Sequence, residues 1–310
     1  MMVVDFSTFH SRFRVTGVLN LNTAMRIGAG SAQGATEQDL AVLKDLTGRP
    51  YIPGSSFKGA YRAHLERLLR SFDPNLACIS VPRTEGKGLG QVEGCLSQDD
   101  IEAIKKKFED KTDLDLSQAI LNGTTLTPKD DSRVKEDLQL TGLCWVCRLC
   151  GAPWFASKLM VRDMVVVEET WFKRYLIRDG VAIDRDTETA AEGLYFNFEA
   201  VPVGTKFRFE IIIDNADEAE LGLALLGLRE FEQGYVPLGG ARSRGLGHVA
   251  LQLDWDDSSL VKKEHLKEYL LDPGSAIALA QEEARADYWK KFVDELKESG
   301  GSSHAQTLSQ

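Results

Sequence analysis

No apolar run in this 310-residue sequence approaches the roughly 20 residues that a membrane-spanning helix needs; the most apolar stretches, Leu221 to Leu228 and Val165 to Val167, fall far short. Met1 to Phe13 carries no basic region followed by an apolar core and a small-residue cleavage site. A cytoplasmic protein with no membrane partner is expected. Basic excess is missing as well. The formal net charge of -10 and the pI near 5.1 exclude a freestanding, nonspecific nucleic-acid binder, because phosphate neutralisation needs clustered Lys and Arg. The cysteine count is odd, at 5, and Cys144, Cys147 and Cys150 crowd into one short stretch, which suits metal binding better than a disulfide framework. The histidines, His10, His64, His248, His265 and His304, fall at no metal-set or triad spacing.

The acidic total hides a split. Asp254 to Glu298 carries twelve acidic residues against seven basic ones. Tyr51 to Arg70 carries Lys58, Arg62, Arg67 and Arg70 against Glu66 alone. A local basic surface therefore survives. The acidic stretch reads either as a solvated helix or as a docking surface for a basic neighbour.

Hydrophobic periodicity sets the elements. Phe13 to Met25 reads as a strand running into the small-residue loop Gly28 to Gly34. Pro53-Gly54-Ser55-Ser56 starts a helix under a serine cap, with Phe57, Tyr61, Leu65 and Leu69 at helical spacing. Residues 73–142 are irregular and read as an insertion. Lys158 to Glu168 and Lys206 to Ile213 alternate as strands, the second with Phe207, Phe209, Ile211 and Ile213 on one side. Asp214 or Asn215 caps a second helix through Leu221, Leu225, Leu228 and Phe231. Val249 to Leu253 is the closing strand, 254–299 an acidic helical extension, and 300–310 a disordered tail. The order strand, helix, strand, then strand, helix, strand predicts an α+β, ferredoxin-like sandwich, split over 13–72 and 143–253, with helices on one face of an antiparallel sheet.

Three groups of residues carry chemistry. Gly239-Gly240-Ala241-Arg242-Ser243-Arg244-Gly245-Leu246-Gly247 sets two forked guanidinium groups among glycines, a pattern suited to holding phosphate oxygens. No Gly-Lys-Ser/Thr closes it, so it is not a P-loop, and it leads into a strand, so it is not a dinucleotide fingerprint. Ser55, Ser56, Lys58 and Arg62 lie near the first helix's N-terminus, where the helix dipole also favours an anion. Cys144-x-x-Cys147 has the spacing at which two thiolates reach one structural Zn²⁺. Cys78 and Cys95 are candidates to complete the set, and Cys150 is the alternative or a core thiol.

Pro53 to Gly59 with Arg62, the glycine-arginine loop, the stretch Leu143 to Gly151 and the stretch Arg178 to Thr205 together resemble the RAMP superfamily of CRISPR proteins. They are most similar to the backbone (Cas-seven-like) subunits of type III effector complexes. The resemblance spans Val15 to Leu253, apart from the insertion. It implies an RRM-like palm, a thumb β-hairpin over about 167–205 and a zinc-binding insertion. It further implies binding of a guide RNA (crRNA) and a complementary target RNA, beside other CRISPR effector subunits that include further RAMP subunits. Ser55, Ser56, Lys58, Arg62, Arg178, Arg185 and the Gly239, Gly240, Arg242, Ser243, Arg244, Gly245 loop are the implied RNA contacts. Asp39 falls where catalytic members hold an aspartate for target cleavage with Mg²⁺ or another divalent ion. Glu37 and Asp45 stand nearby as substitutes. The alternative is an inactive scaffold that only spaces the guide-target duplex. The thumb charges Arg178, Asp184 and Arg185 also fit a structural ion pair.

Overall fold

The computed structural model describes residues 6, 8–28, 41–78, 143–152, 155–183, 190–278 and 282–304. Asp39, Glu37, Cys95, Asp184, Arg185 and most of the insertion lie outside the described residues. No described helix is long and apolar enough to cross a membrane.

The central strand is β1 (Ser11–Leu21), which buries Phe13, Val15, Leu19 and Leu21 on one face. It pairs antiparallel with β7 (Lys206–Asp214) on one side and β8 (Val249–Lys262) on the other. Strand β3 (Leu159–Val161) joins β7, and the two-residue β9 (Ile277–Ala278) joins β8, giving the order β3-β7-β1-β8-β9. Two smaller pairs complete the strands. Strand β2 (Tyr51–Ile52) pairs with β4 (Met164–Val165), and β5 (Leu176–Ile183) with β6 (Ala190–Ala200). The alternation predicted for β7 holds, with Phe207, Phe209, Ile211 and Ile213 all buried.

Helices α1 (Gly54–Phe72) and α3 (Glu218–Glu232) pack on that apolar face. Their seam is aromatic: Phe57 lies 5.2 Å from Phe209 and 4.3 Å from Phe231, ring to ring. A Cβ on Gly227 would stand 2.4 Å from the Tyr61 ring, so this glycine sets how closely the helices approach. The Tyr61 hydroxyl donates to the Ala224 carbonyl at 2.7 Å. Between strands β2 and β3 lies the short helix α2 (Trp145–Cys150).

Four expectations need correction. The cap of α1 is not a serine: the Gly54 N-H donates to Asp163 Oδ1 at 2.8 Å, and no local side chain caps the helix. For the same reason Lys158 to Glu168 is not one strand but β3 and β4, broken at Asp163, which turns to reach the helix. Nor do Asp214 and Asn215 cap α3. Asp217 does, in a capping box with Glu220, while Asp214 pairs with Arg12, and Asn215 holds the backbone of His10 and Ser11. The closing strand does not stop at Leu253. It continues to Lys262 through a bulge opposite Val15, where the Asp254 carboxylate accepts from the Asp256 and Asp257 N-H groups. The polar run looked like the start of an extension because it is a bulge inside a strand.

The acidic stretch also contributes to the core. After α4 (Leu266–Leu271), helix α5 (Glu282–His304) lays Tyr288 and Phe292 against α3, where a Cβ on Gly222 would meet the Tyr288 carbonyl at 2.2 Å. Helix α5 runs to His304, past residue 300, where the tail was expected to begin. Residues 305–310 lie outside the described set.

One buried carboxylate ties these layers together. Glu220 is fully buried, accepts from the Asp217 N-H at 2.9 Å and Arg148 Nε at 3.0 Å, and pairs with the buried Lys158 ammonium. It thereby joins α3, α2 and the start of β3. Glu220→Ala leaves Lys158 in the interior without its counter-charge, an expected loss of about 3–5 kcal/mol. Asp217→Ala, which removes the α3 cap and the exposed ion pair with Arg148 but leaves Glu220 and Lys158 paired, is expected to cost about 1–2 kcal/mol. Denaturant unfolding of the two variants checks the difference.

Candidate nucleic-acid interface

The segment that follows β1 organises the site. Met25 exchanges backbone hydrogen bonds with Val201 at 3.0 and 2.7 Å, which docks the base of the β5-β6 hairpin. The Arg26 carbonyl accepts from the Gly240 N-H at 2.8 Å, and the Ala24 carbonyl accepts from the Gly247 N-H at 2.8 Å. The Ile27 carbonyl accepts from the Leu43 N-H at 2.9 Å. Three separate pieces of chain therefore meet on residues 24–28.

Two of the loop's glycines are set by close backbone contacts, Gly239 by this docking and Gly247 by the loop's own Leu238. A Cβ at Gly239 would stand 2.3 Å from the Arg26 carbonyl oxygen, and one at Gly247 would stand 2.0 Å from the Leu238 carbonyl oxygen. Both residues have positive φ. With its ends held, the loop turns Arg242, Ser243 and Arg244 outward as one exposed 3₁₀ turn. Among the described residues no carboxylate pairs with either arginine.

Arg26 is a site residue that the sequence reading missed. Its half-buried guanidinium lies 6.0 Å from the centre of the Phe198 ring, with no hydrogen-bond partner for Nε among the described residues. It also lies against Gly240. Phe198 stands directly opposite Arg178 in the hairpin register, so their side chains share a face, and exposed Arg178 flanks the ring. Arg26, Arg178, Arg242 and Arg244 thus come from three chain segments to one region. The missed signal was a lone arginine two residues before Gly28, at the entry to the small-residue stretch.

The helix cations behave differently. Lys58 Nζ donates to Ser157 Oγ at 2.6 Å and to the Leu159 carbonyl at 3.0 Å, and burial pushes its pKa down. Arg62 donates to Glu66 at 2.7 Å, to the Gly151 carbonyl at 2.7 Å and to Cys147 Sγ at 3.2 Å. Both side chains tie α1 to the cysteine segment. Ser55 and Gly59 are the exposed positions on that part of the helix, and Ser56 is half-buried.

The thiols of Cys78, Cys144 and Cys147 are buried and lie within 4.8 Å of one another. Sγ to Sγ, Cys78 is 3.3 Å from Cys147 and 3.7 Å from Cys144. Tetrahedral thiolates on Zn²⁺ stand about 3.8 Å apart, given Zn–S bonds of about 2.3 Å. The donor set fits three corners of such a site. Cys150 lies outside the group, and burial pushes its thiol up to about 12. It behaves as a core thiol.

Asp45, a substitute for Asp39, is committed elsewhere. Its carboxylate accepts from the Thr47 N-H and hydroxyl and from the Arg49 N-H and Nε. Those hydrogen bonds, led by the Thr47 hydroxyl, hold its pKa at about 2. It is the acid of a tight turn.

The model of the RAMP superfamily matches residues 18–250. The chain belongs to the RAMP superfamily. Among its relatives, the "CRISPR system Cms endoribonuclease Csm3" of Methanocaldococcus jannaschii is 27% identical over 251 residues, covering 78% of this chain and 79% of that protein. The protein of the same name from Methanothermobacter thermautotrophicus is 27% identical over 256 residues, covering 78% and 84%. The RAMP match takes in the end of β1, the whole of α1, the cysteine helix and the whole glycine-arginine loop.

Loss of both loop arginines in Arg242→Ala/Arg244→Ala is expected to weaken single-stranded RNA binding. It is also expected to flatten the slope of log affinity against log salt by about 1.4, two phosphate contacts' worth. Thermal unfolding should stay near native, because neither side chain packs. A salt titration beside a melting curve checks both halves.

Proposed function

We propose that this chain is a guide-RNA-binding backbone subunit of a type III CRISPR effector complex, and that it cleaves complementary target RNA through Asp39. The observation that carries the binding half is the convergence of four arginines from three segments on the docked glycine loop. Support for the rest is the superfamily membership and the endoribonuclease named in both relatives.

The palm of this subunit is the ferredoxin-like, RRM-like layer. Its support is the order β3-β7-β1-β8 with α1 and α3 on one face, the order expected when two strand-helix-strand halves interlock. The β5-β6 hairpin is the thumb, and the segment around Cys78 together with 143–150 is the root of a zinc-binding insertion over 73–142. Partners on this reading are the crRNA, the target RNA and other effector subunits, including further RAMP subunits. Arg185 and Ser55 would add RNA contacts at the hairpin and at the start of α1.

For cleavage, the 2'-hydroxyl of a target nucleotide attacks the adjacent phosphorus in line. The bond to the 5'-oxygen of the next nucleotide breaks, leaving a cyclic phosphate, and the departing oxygen takes a proton from solvent to become a free hydroxyl. The Asp39 carboxylate would accept the 2'-hydroxyl proton, or would hold a divalent ion, Mg²⁺ or another. When bound, that ion offsets charge on the phosphate oxygens. The loop and hairpin arginines hold the strands while this happens.

Complexes assembled on a guide and given labelled complementary RNA with Mg²⁺ test the nuclease half. The native chain is expected to cut, and Asp39→Ala is expected to bind the target and leave it intact. Unchanged cutting by the variant removes Asp39 from the chemistry, and no cutting by either leaves the subunit as a scaffold.

The zinc assignment has its own measurement. Elemental analysis of the purified chain is expected to give about one zinc per chain, lost in Cys78→Ser and in Cys147→Ser and retained in Cys150→Ser. Retention in Cys78→Ser would overturn the site.

A further inference from the structure

We propose that Tyr235 is a stacking platform for an unpaired RNA base, set beside the glycine-arginine loop so that one strand is held by its phosphates and by a base together. The inference rests on the RNA-binding half of the reading above and adds to it a contact that carries no charge.

Helix α3 ends at Glu232, and the chain turns through Gly234, whose φ is +72°. The Tyr235 N-H then donates to the Glu230 carbonyl at 3.0 Å, which ties the backbone of this residue to the end of the helix. Val236 and Leu238 are buried, while Tyr235 is 64% exposed. Inward side chains thus pin the segment and leave the phenol ring outside. Among the described residues the ring and its hydroxyl have no partner.

The ring stands at the foot of the loop. The Leu238 N-H donates to the Gly247 carbonyl at 2.9 Å, closing Gly239–Gly247 into a tip that carries the exposed Arg242 and Arg244. On the returning side comes His248, also exposed, whose carbonyl accepts from the Asn22 and Thr23 N-H groups at 3.0 and 3.1 Å. A Cβ on Gly234 would lie 3.0 Å from His248 Nε2, so the imidazole stands against the turn that presents Tyr235. From Tyr235 to Leu238 is at most about 11 Å of chain. A strand whose phosphates lie on the loop arginines therefore has a flat aromatic surface within reach.

Forked guanidinium groups hold the phosphate oxygens of any strand, and their contribution fades with salt. A chain of net charge -10 gains little long-range attraction for RNA. Stacking is different in kind. Every base has a π-face, an aromatic platform strengthens binding about tenfold or more per base, and no counterions are released. Tyrosine supplies a rigid ring with few torsions to freeze, and the hydrogen bond to Glu230 holds its backbone before RNA arrives.

Binding of the full chain to three labelled strands of equal length, measured across a salt series, tests the site. The strands are oligoadenylate, oligouridylate and a ribose-phosphate strand without bases. The native chain is expected to bind oligoadenylate best and the abasic strand about tenfold more weakly. Tyr235→Ala is expected to lose about tenfold on oligoadenylate, to match the native chain on the abasic strand, and to keep the native slope of log affinity against log salt. Tyr235→Phe keeps the π-face and should bind like the native chain, whereas Tyr235→Leu, apolar but not flat, should behave like Tyr235→Ala. Melting temperatures should stay near native in all three, because the ring is exposed. In complexes assembled on a guide, a single abasic nucleotide is then walked through the guide or the target. The Tyr235→Ala effect should vanish at defined positions of one strand, which identifies the base that the ring takes.

Equal losses by Tyr235→Ala on oligoadenylate and on the abasic strand overturn the stacking role, as does an effect that persists wherever the abasic nucleotide stands. If Arg242→Ala/Arg244→Ala loses RNA while Tyr235→Ala binds it natively, the stacking site is wrong and the RNA-binding reading stands. Native RNA binding by Tyr235→Ala with weakened assembly of the complex makes the ring a protein contact and overturns the site as well. If Tyr235→Ala shows its loss while the arginine variant binds natively, the loop loses its role and the stacking site stands. A native chain that binds no RNA sinks both.

Discussion

The backbone of residues 24–28 must satisfy its hydrogen bonds outside the sheet, and the candidate interface exists because it does so with three partners at once. Val201 takes one edge through Met25, the glycine loop takes the Ala24 and Arg26 carbonyls, and Leu43 takes the Ile27 carbonyl. An extended segment with unpaired polar groups is costly to bury. Its demand therefore draws together a hairpin base, a glycine-rich turn and the end of a loop that are distant in the chain. The arginines arrive as passengers on these segments.

Behind that surface a second set of polar contacts fixes the cysteine helix. Glu220 reaches Arg148 of α2 from the N-terminus of α3, while Arg62 reaches Cys147 and the Gly151 carbonyl from α1. The cations near the first helix's N-terminus thus serve two layers of protein. The acidic C-terminal helix, for its part, closes the core through Tyr288 and Phe292, with Asp287, Lys290, Lys291, Asp294 and Lys297 exposed.

Much of this was legible beforehand. The period-2 run in β7 and the helical spacing of Phe57, Tyr61, Leu65 and Leu69 identify their elements because one face of each is buried in a single core. The glycine-arginine string and the Cys144-x-x-Cys147 spacing mark local chemistry for the same reason: the residues act as neighbours. Less legible were features whose partner is distant. The cap of α1 comes from Asp163, 109 residues away, so the local serines looked like the natural cap. The bulge at Asp254 resembled a linker because its turn chemistry is the same.

The amino-acid sequence by itself determined the α+β class, the two core helices, the basic loop and the cysteine pair, since each depends on spacing within one segment. Only the tertiary structure decided that Arg26 joins the loop arginines, that Lys58 and Arg62 turn toward the cysteine segment, and that Asp45 is spent on its own turn. It also decided that the His248 ring stands against Gly234, beside Tyr235. These outcomes depend on which backbone edges meet and which side of a strand is covered, and such pairings arise only when the whole chain has found one consistent way to bury its apolar faces and satisfy its polar groups.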